Sequence, residues 1–503
     1  MLKFKPSCQS FPMFTRKHIT RNTAAALVAL ALSACAAGPD FHAPAAPQGA
    51  GYGAPAGKTI AGSGTGAVAA QAFAQGGEVP AAWWTLYRSP ALDELMRRAL
   101  AASPTAAAAR ANLQAAEEAA RAARGGYLPT AGIAANGTRE KINDAGRGSG
   151  GELAPFTLYN ASVEISYSPD IFGGTRRTVE AAAAAADQQR ALMRVTYLTL
   201  EGNIVTAAVQ EASLNGQIGA TRAVIAVDRQ QLGILKKQLA LGGVDRSAVL
   251  AQETALAQAE AALPQLENQR AATENQLKAL SGDFPNAAGL ARFDLAALYL
   301  PRDIPVTLPS RLVRQRPDIL AAEAEMHVAS ANIGIAAANL LPQVTLSGSY
   351  GFDANALEGI FSPSHIIWNA GAGLLQPLLP DPSLTHKKKE AQAAYRAAAA
   401  QYRATVIAAF QNVSDALNAL QFDADGLQAA ATAEKSAAAS LRLQQHRFRD
   451  GAASYLELLG AESAWQQTRI SLVKAEAARY ADTAALFVAL GGGWQTENKD
   501  EKK

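Results

Sequence analysis

Between Pro317 and Phe352 the hydrophobic period changes from helical to strictly alternating within 36 residues. Gln343, Thr345, Ser347, Ser349 and Gly351 are small or polar, while Val344, Leu346, Tyr350 and Phe352 fall on the other side. The pattern predicts a helix running into a strand with one wet and one apolar face. The same event occurs earlier in the chain. Pro104 stands 25 residues before Pro129 of Tyr127-Leu128-Pro129, and Pro317 stands 25 before Pro342 of Leu340-Leu341-Pro342, an offset of 213. After the first of these, Tyr159, Ala161, Val163, Ile165 and Tyr167 alternate with Asn160, Ser162, Glu164, Ser166 and Ser168. That is a second strand with an aqueous side opposite a lipid or core side. Residues 130–138 and 366–376 supply a partner strand in each copy, with loops at 143–151 and 353–365 and with Tyr350 and Trp368 as interface aromatics.

Two further correspondences support an internal duplication. Residues 277–282 match 487–492 at an offset of 210, and Gly243 of the Gly242-Gly243 turn matches Gly451 at 208. Copies this long are not short solenoid repeats and imply a pseudo-twofold protomer. After each strand pair comes a helical pattern, 176–241 and 384–449, each roughly 100 Å long at the α-helical rise. Shorter helices are expected at 104–124, 246–281, 317–340 and 454–490, stacked antiparallel to the long ones, with Pro264 kinking its helix. Ser89-Pro90 opens a first short helix, with Asp93 and Glu94 complementing its dipole. Before it, residues 43–77 are Gly, Ala, Pro and Ser with almost no large apolar side chain, which predicts a flexible tether without a core. The fold class is mainly α with a small β part. Four amphipathic strands cannot close a barrel, and strand edges cannot be left bare in a bilayer, so several protomers must share one. Strand count alone permits a dimer or a trimer.

Alanine supplies much of the apolar content, since hydrophobic residues reach 49 % while aromatics are 6 %. Alanine favours helices and lets them pack closely. Residues 1–34 carry Lys3, Lys5, Arg16, Lys17 and Arg21 and no acid; the remainder has 41 basic and 43 acidic residues, about −2. No basic face recommends nucleic acid as a partner. The basic start, followed by an apolar run from Ala24 to Leu32 too short to span a bilayer, reads as a secretory signal, beginning at Met1 or at Met13. It ends in Leu32-Ser33-Ala34-Cys35, which resembles the bacterial lipoprotein box. The resemblance implies cleavage before Cys35 and diacylation of its sulfur, and two acyl chains anchor stably where one is marginal. Cys8 leaves with the signal, so the mature chain has no disulfide. Ala36 in place of aspartate favours the outer membrane, by similarity to sorting rules in enteric bacteria.

Three stretches carry a wider resemblance: Cys35-Ala36-Ala37-Gly38-Pro39-Asp40-Phe41 with Trp83-Trp84 and Leu92, Tyr167-Ser168-Pro169-Asp170-Ile171-Phe172-Gly173-Gly174-Thr175-Arg176, and Arg447-Phe448-Arg449-Asp450-Gly451 through Leu459. Together and in order they resemble the outer-membrane efflux lipoproteins of the TolC superfamily, NodT branch, over the whole mature chain. The resemblance implies a homotrimer in the outer membrane of a Gram-negative bacterium, with a shared twelve-stranded β-barrel continued by a periplasmic α-barrel. It also implies a periplasmic adaptor protein and an inner-membrane pump, commonly of the RND type, with outer-membrane lipid around the barrel. Gly242, Gly243, Gly451 and Ser454 become the adaptor-contact tips, and Leu456, Glu457 and Glu462 the periplasmic gate. Three carboxylates crowded around an axis resist full ionisation and attract cations. This chain has Gly460 where the family commonly has aspartate, which weakens or displaces that ring. Glu457 is equally readable as a solvated helix residue.

The expected divisions are a signal at 1–34, a lipidated tether at 35–88, repeats at 89–300 and 301–492, and a polar tail at 493–503. Gly146, Gly148 and Gly151 have GxGxxG spacing, but no helix follows and a nucleotide site is not indicated. The histidines form no metal pair, no residue constellation suggests catalysis, and no cofactor is expected. Two other functions fit part of the pattern: a type I secretion channel of the same architecture, and a lipid-anchored periplasmic scaffold without a pore, which leaves the alternating strands unexplained.

Overall fold

The computed structural model describes residues 37–47, 51–53, 57–59, 69–141, 154–376 and 382–494. Cys35 and the glycines at 146, 148 and 151 lie outside them. The chain divides into two compact units, one from described residues of 1–41, 121–181 and 329–394, the other from 42–120, 182–328 and 395–503.

The first unit is built on an antiparallel sheet of β2 (Thr130–Glu140), β3 (Phe156–Tyr167), β5 (Gln343–Ala354) and β6 (Ile366–Leu375), in the order β2-β3-β5-β6. Its register turns the sequence alternation into rows. Ile133, Val163, Tyr350 and Trp368 are direct neighbours on successive strands, and all four are exposed. One residue away on the other face runs Gly132, Glu164, Ser349 and Asn369. Each row is the cross-strand unit that gives a sheet face its character. Gly351 lies against β3 so closely that a Cβ there would collide with Ala161 and Ser162.

Asp170 explains the motif that leads out of β3. Its carboxylate accepts from the backbone of Thr175 (3.0 Å) and Arg176 (2.7 Å), satisfying free N–H groups at the start of the following long helix. Beside it the buried Arg177 donates to Glu180 (2.7 Å), to Asp40 (2.8 Å) and to the Ala37 carbonyl (3.2 Å), while Ala37 N–H donates to Phe172 O (2.9 Å). A Cβ at Gly334 would stand 2.7 Å from the Arg177 stem, so glycine is what lets this clamp close.

The helices repeat in length. α2 (Pro104–Arg124) and α6 (Pro317–Ala338) have 21 and 22 residues, α3 (Gly174–Ala240) and α7 (Pro382–Arg449) have 67 and 68, and α4 (Arg246–Leu280) and α8 (Tyr455–Ala489) have 35 each. The protomer is thus internally duplicated. α1 (Pro90–Ala102) is capped by Ser89, as its sequence predicts. Pro264 sits inside α4 without ending it. Ion pairs from α3 to Glu260 and Glu267, on either side of Pro264, keep both halves of α4 alongside that helix.

The described parts of 43–77 are not a tether. β1 (Ala72–Gln75) pairs in parallel with β4 (Asp303–Val306), which precedes α5 (Pro309–Gln315). Tyr52 donates to Thr307 O (2.9 Å), and the fully buried Gln71 donates to Pro301 O (3.0 Å) and accepts from Arg479 (2.7 Å). The partners lie hundreds of residues downstream, so local composition cannot disclose them.

On α8, burial and the neighbouring Asp423 push the Asp482 carboxyl up to about 7. A carboxyl raised in the folded state contributes stability that is present while it is protonated and is lost as pH rises through that value. Asp482→Asn is therefore expected to narrow the difference in unfolding free energy between pH 6 and pH 8 by about 1 kcal/mol. Denaturant titrations at the two pH values check this, and an unchanged difference removes Asp482 as the cause.

Candidate functional site

The ends of α3 and α7 are built alike. Past α3, Gly242 has φ 76° and Gly243 N–H donates to Gln238 O (2.8 Å); past α7, Gly451 has φ 72° and Ala452 N–H donates to Arg447 O (2.7 Å). Both are Schellman turns, which need a residue at positive φ. The next helix is capped in each copy. Asp245 accepts from Ser247 N (2.6 Å) and Ala248 N (3.2 Å); Ser454 accepts from Glu457 N (3.3 Å), and Glu457 returns the contact by accepting from Ser454 N (2.7 Å), a capping box. Equivalent glycines are therefore Gly242 and Gly451, at an offset of 209 that Asp245 and Ser454 share. This corrects by one residue the pairing of Gly243 with Gly451. Gly282 and Gly491, both at positive φ, follow the same offset, in place of 210.

The three residues expected at a gate do not come together within one protomer. Leu456 is 72 % exposed in the first turn of α8, and Glu457 beside it is exposed and held by Ser454. Hydrogen bonds from the Ser454 backbone and hydroxyl keep the Glu457 carboxyl below the usual range, so it stays ionised. Glu462 points elsewhere. It is buried, accepts from Gln231 of α3 (3.3 Å), and has its second oxygen unpaired. Burial first, and the Asp228 charge after it, raise its pKa. Gly460 faces open space.

Around Glu462 lies a buried polar network that sequence reasoning missed. Tyr455 at the start of α8 donates to Gln252 of α4, and Gln252 donates to the carbonyl and the carboxylate of Asp228 on α3, both at 3.1 Å. Burial raises Asp228 as well, against the pull of Gln252. Nearer the turns, Leu235, Val249, Leu441, Tyr455 and Leu458 form an apolar cluster drawn from all four helices, with Phe448 edge-on to Tyr455 at 5.8 Å. A cavity of about 180 Å³ opens between Asp228, Glu462, Leu441 and Trp465. Asp228, Gln252 and Glu462 each look like an ordinary polar residue on a long helix; what marks them is that all three face inward, which requires knowing the helix pairing.

Among the described residues no group of three His, Cys, Asp or Glu could hold a metal ion. The arrangement presents two exposed helix turns on a braced four-helix end.

Glu462→Gln should stabilise the tip at neutral pH, because it replaces a buried, half-satisfied carboxylate with a neutral amide. Native Glu462, raised in the folded state, supports stability below the ordinary glutamate range and loses that support as pH rises. The expected gain at pH 8 is about 1 kcal/mol, vanishing toward pH 4. Hydrogen exchange of amides in 225–235 and 455–465 measures it, and unchanged protection at both pH values would refute the assignment.

A model of the family described as "Outer membrane efflux protein" matches residues 95–283 and 308–492. The pyoverdine export outer membrane protein OpmQ of Pseudomonas putida is 28 % identical over 421 residues, covering 83 % of this chain and 89 % of that one. Outer membrane protein OprJ of Pseudomonas aeruginosa is 29 % identical over 479 residues, covering 93 % and 95 %. Among solved structures, the outer-membrane channel OprN superposes with a TM-score of 0.82 at 23 % identity, over 92 % of this chain and all of that one. VceC of Vibrio cholerae gives 0.76 at 26 % identity, over 82 % and 98 %.

Proposed function

The chain belongs to the outer membrane efflux protein family, and from that premise we propose that three copies form the passive exit duct of a tripartite efflux system. Small toxic compounds would reach it from an inner-membrane pump of the RND type through a periplasmic adaptor, and the pump would supply the energy. The observation that carries this reading is the sheet. It has an apolar ladder on one face, a polar row on the other, and two outer strands, β2 and β6, each with one edge unpaired among the described residues. In a bilayer such edges have to be paired. Two protomers would give an eight-stranded barrel, whose interior side chains fill, whereas twelve strands leave a lumen. The polar row would then line water and the ladder would face lipid.

Anchoring follows from the N-terminus. Two residues beyond Cys35 the chain is fastened through Ala37 and Asp40 to Phe172 and Arg177, within the same unit as the sheet. Acyl chains on Cys35 would sit beside the barrel and add to its attachment. The turns at Gly242, Gly243, Gly451 and Ser454 would meet the adaptor. Leu456 and Glu457, exposed just beyond the second turn, would narrow the closed end, while Glu462 fits an internal brace. The two repeats are proposed to run over 89–300 and 301–492, with the signal at 1–34. A scaffold without a pore leaves the row of Ile133, Val163, Tyr350 and Trp368 facing water with nothing to cover it.

With Cys35 replaced by Ala and an ordinary signal peptide, membrane-embedded trimers are expected to persist through removal of peripheral proteins. A soluble periplasmic monomer would sink the duct reading, because the lipid would then be the sole anchor. The two faces can be tested separately. A lysine on the lipid face costs from about 0–1 kcal/mol near an interface to about 2–4 kcal/mol at the midplane, so Tyr350→Lys should reduce assembled trimer. Ser349→Lys, one residue along and on the polar face, should assemble near normally; equal loss from both would contradict the assignment of faces.

A further inference from the structure

We propose that a cavity in the second unit, walled by α1, α2, α3 and the turn that follows α8, is a binding site for a small aromatic anion. It has a volume of about 590 Å³ and is lined by Trp84, Arg110, Arg194, Tyr197, Glu201 and Trp494 among others. That volume suits a compact organic ligand.

Its charge is unbalanced. Arg194 stacks its guanidinium 3.5 Å from the centre of the Trp494 ring and has no carboxylate partner among the described residues. Its neighbour Arg190, by contrast, is bonded to Glu117 (2.9 Å) and to Asp187. Burial, and then repulsion from Arg190, hold Arg194 below the ordinary arginine value, so the cation is in a setting that disfavours it. Arg110, on α2, reaches the same cavity and makes no hydrogen bond or ion pair with the described residues. The carboxylate at the rim, Glu201, already accepts the Trp83 indole N–H (2.9 Å). Two guanidiniums without anionic partners therefore face one cavity. A guanidinium fork binds a carboxylate, sulfonate or phosphate through two parallel hydrogen bonds.

The walls select the rest of the ligand. Trp494 is fixed by donating its indole N–H to Gln315 O (3.0 Å), and Trp84 is set edge-on to Trp83 at 6.3 Å. With Tyr197 they offer aromatic faces that are largely positioned before a ligand arrives, which lowers the ordering cost of binding. An anionic head at Arg194 and Arg110 with a ring among Trp84, Tyr197 and Trp494 satisfies both features. A cation meets two like charges, and an aliphatic anion leaves the rings unused. The site shares no residue with the helix tips or the sheet, and it does not depend on the duct reading.

The test uses the purified oligomer in nanodiscs of zwitterionic lipid, titrated calorimetrically with naphthalene-1-sulfonate against empty nanodiscs. One saturable site per protomer is expected, with the amine 1-(aminomethyl)naphthalene not binding there. Arg194→Met should weaken sulfonate binding at least about tenfold, that is by about 1.4 kcal/mol, and Trp494→Ala should weaken it similarly. Arg110→Gln, on an exposed helix position, should weaken it less and guards against misfolding of the two half-buried variants. No saturable heat with the native oligomer, equal uptake of the amine, or unchanged affinity in Arg194→Met overturns the proposal. So does loss of the oligomer in Arg194→Met without sulfonate binding by the native protein, since the cations would then serve subunit pairing.

Discussion

An apolar medium has no partner for a bare peptide N–H or C=O, and much of this protein follows from that. One protomer has four antiparallel strands in a row, with the outer edges of β2 and β6 unpaired among the described residues. Such a sheet is incomplete as a membrane structure, and its completion must come from copies of itself. The alternation along each strand does the sorting: shifting the register by one residue would exchange the Tyr350 row with the Ser349 row and place polar groups against lipid. The duplication supplies two strand pairs of matching polarity, and β3 pairs with β5 across the repeat boundary.

A different economy governs the helix ends. Each turn has a positive-φ glycine, a six-to-one backbone bond and a side-chain cap, so the orphan groups at the two tips are satisfied locally. Local satisfaction leaves the outside of the tips free of internal obligations. Cohesion among the four helices is provided one layer deeper, by the apolar cluster around Tyr455 and by the Tyr455, Gln252 and Asp228 chain. Asp228 and Glu462 are both disfavoured as ions there, so that layer carries a cost where the outer turns carry little.

Much of this was legible in the sequence where the signal is periodic or local. Alternation in Tyr159 to Tyr167 located β3 within a few residues, Ser89 and Ser454 located helix starts, and the long alanine-rich patterns gave α3 and α7 nearly to their ends. Long-range pairing was not legible. β1 lies in a run of Gly, Ala and Ser whose partner strand is more than two hundred residues away, and Gln71 is anchored by Arg479. At the tip, Leu456 and Glu457 were found as candidate positions, but the inward turn of Glu462 and its Asp228 neighbour depend on which faces of α3 and α8 meet. Pattern alone also misaligned the turns by one residue, because Gly242-Gly243 offers two glycines and positive φ belongs to the first.

The seat of residues 71–75 bears on the order in which the protein can be finished. Gln71 is held by Arg479, 408 positions later, and β1 pairs with a strand that begins at Asp303. A chain delivered from its N-terminus presents this segment early and completes its seat with the final helix. Contacts so distant along the chain form slowly, because a long loop must close before they are gained. On such a route a segment that emerges early is secured only once the helix carrying Arg479 has followed it.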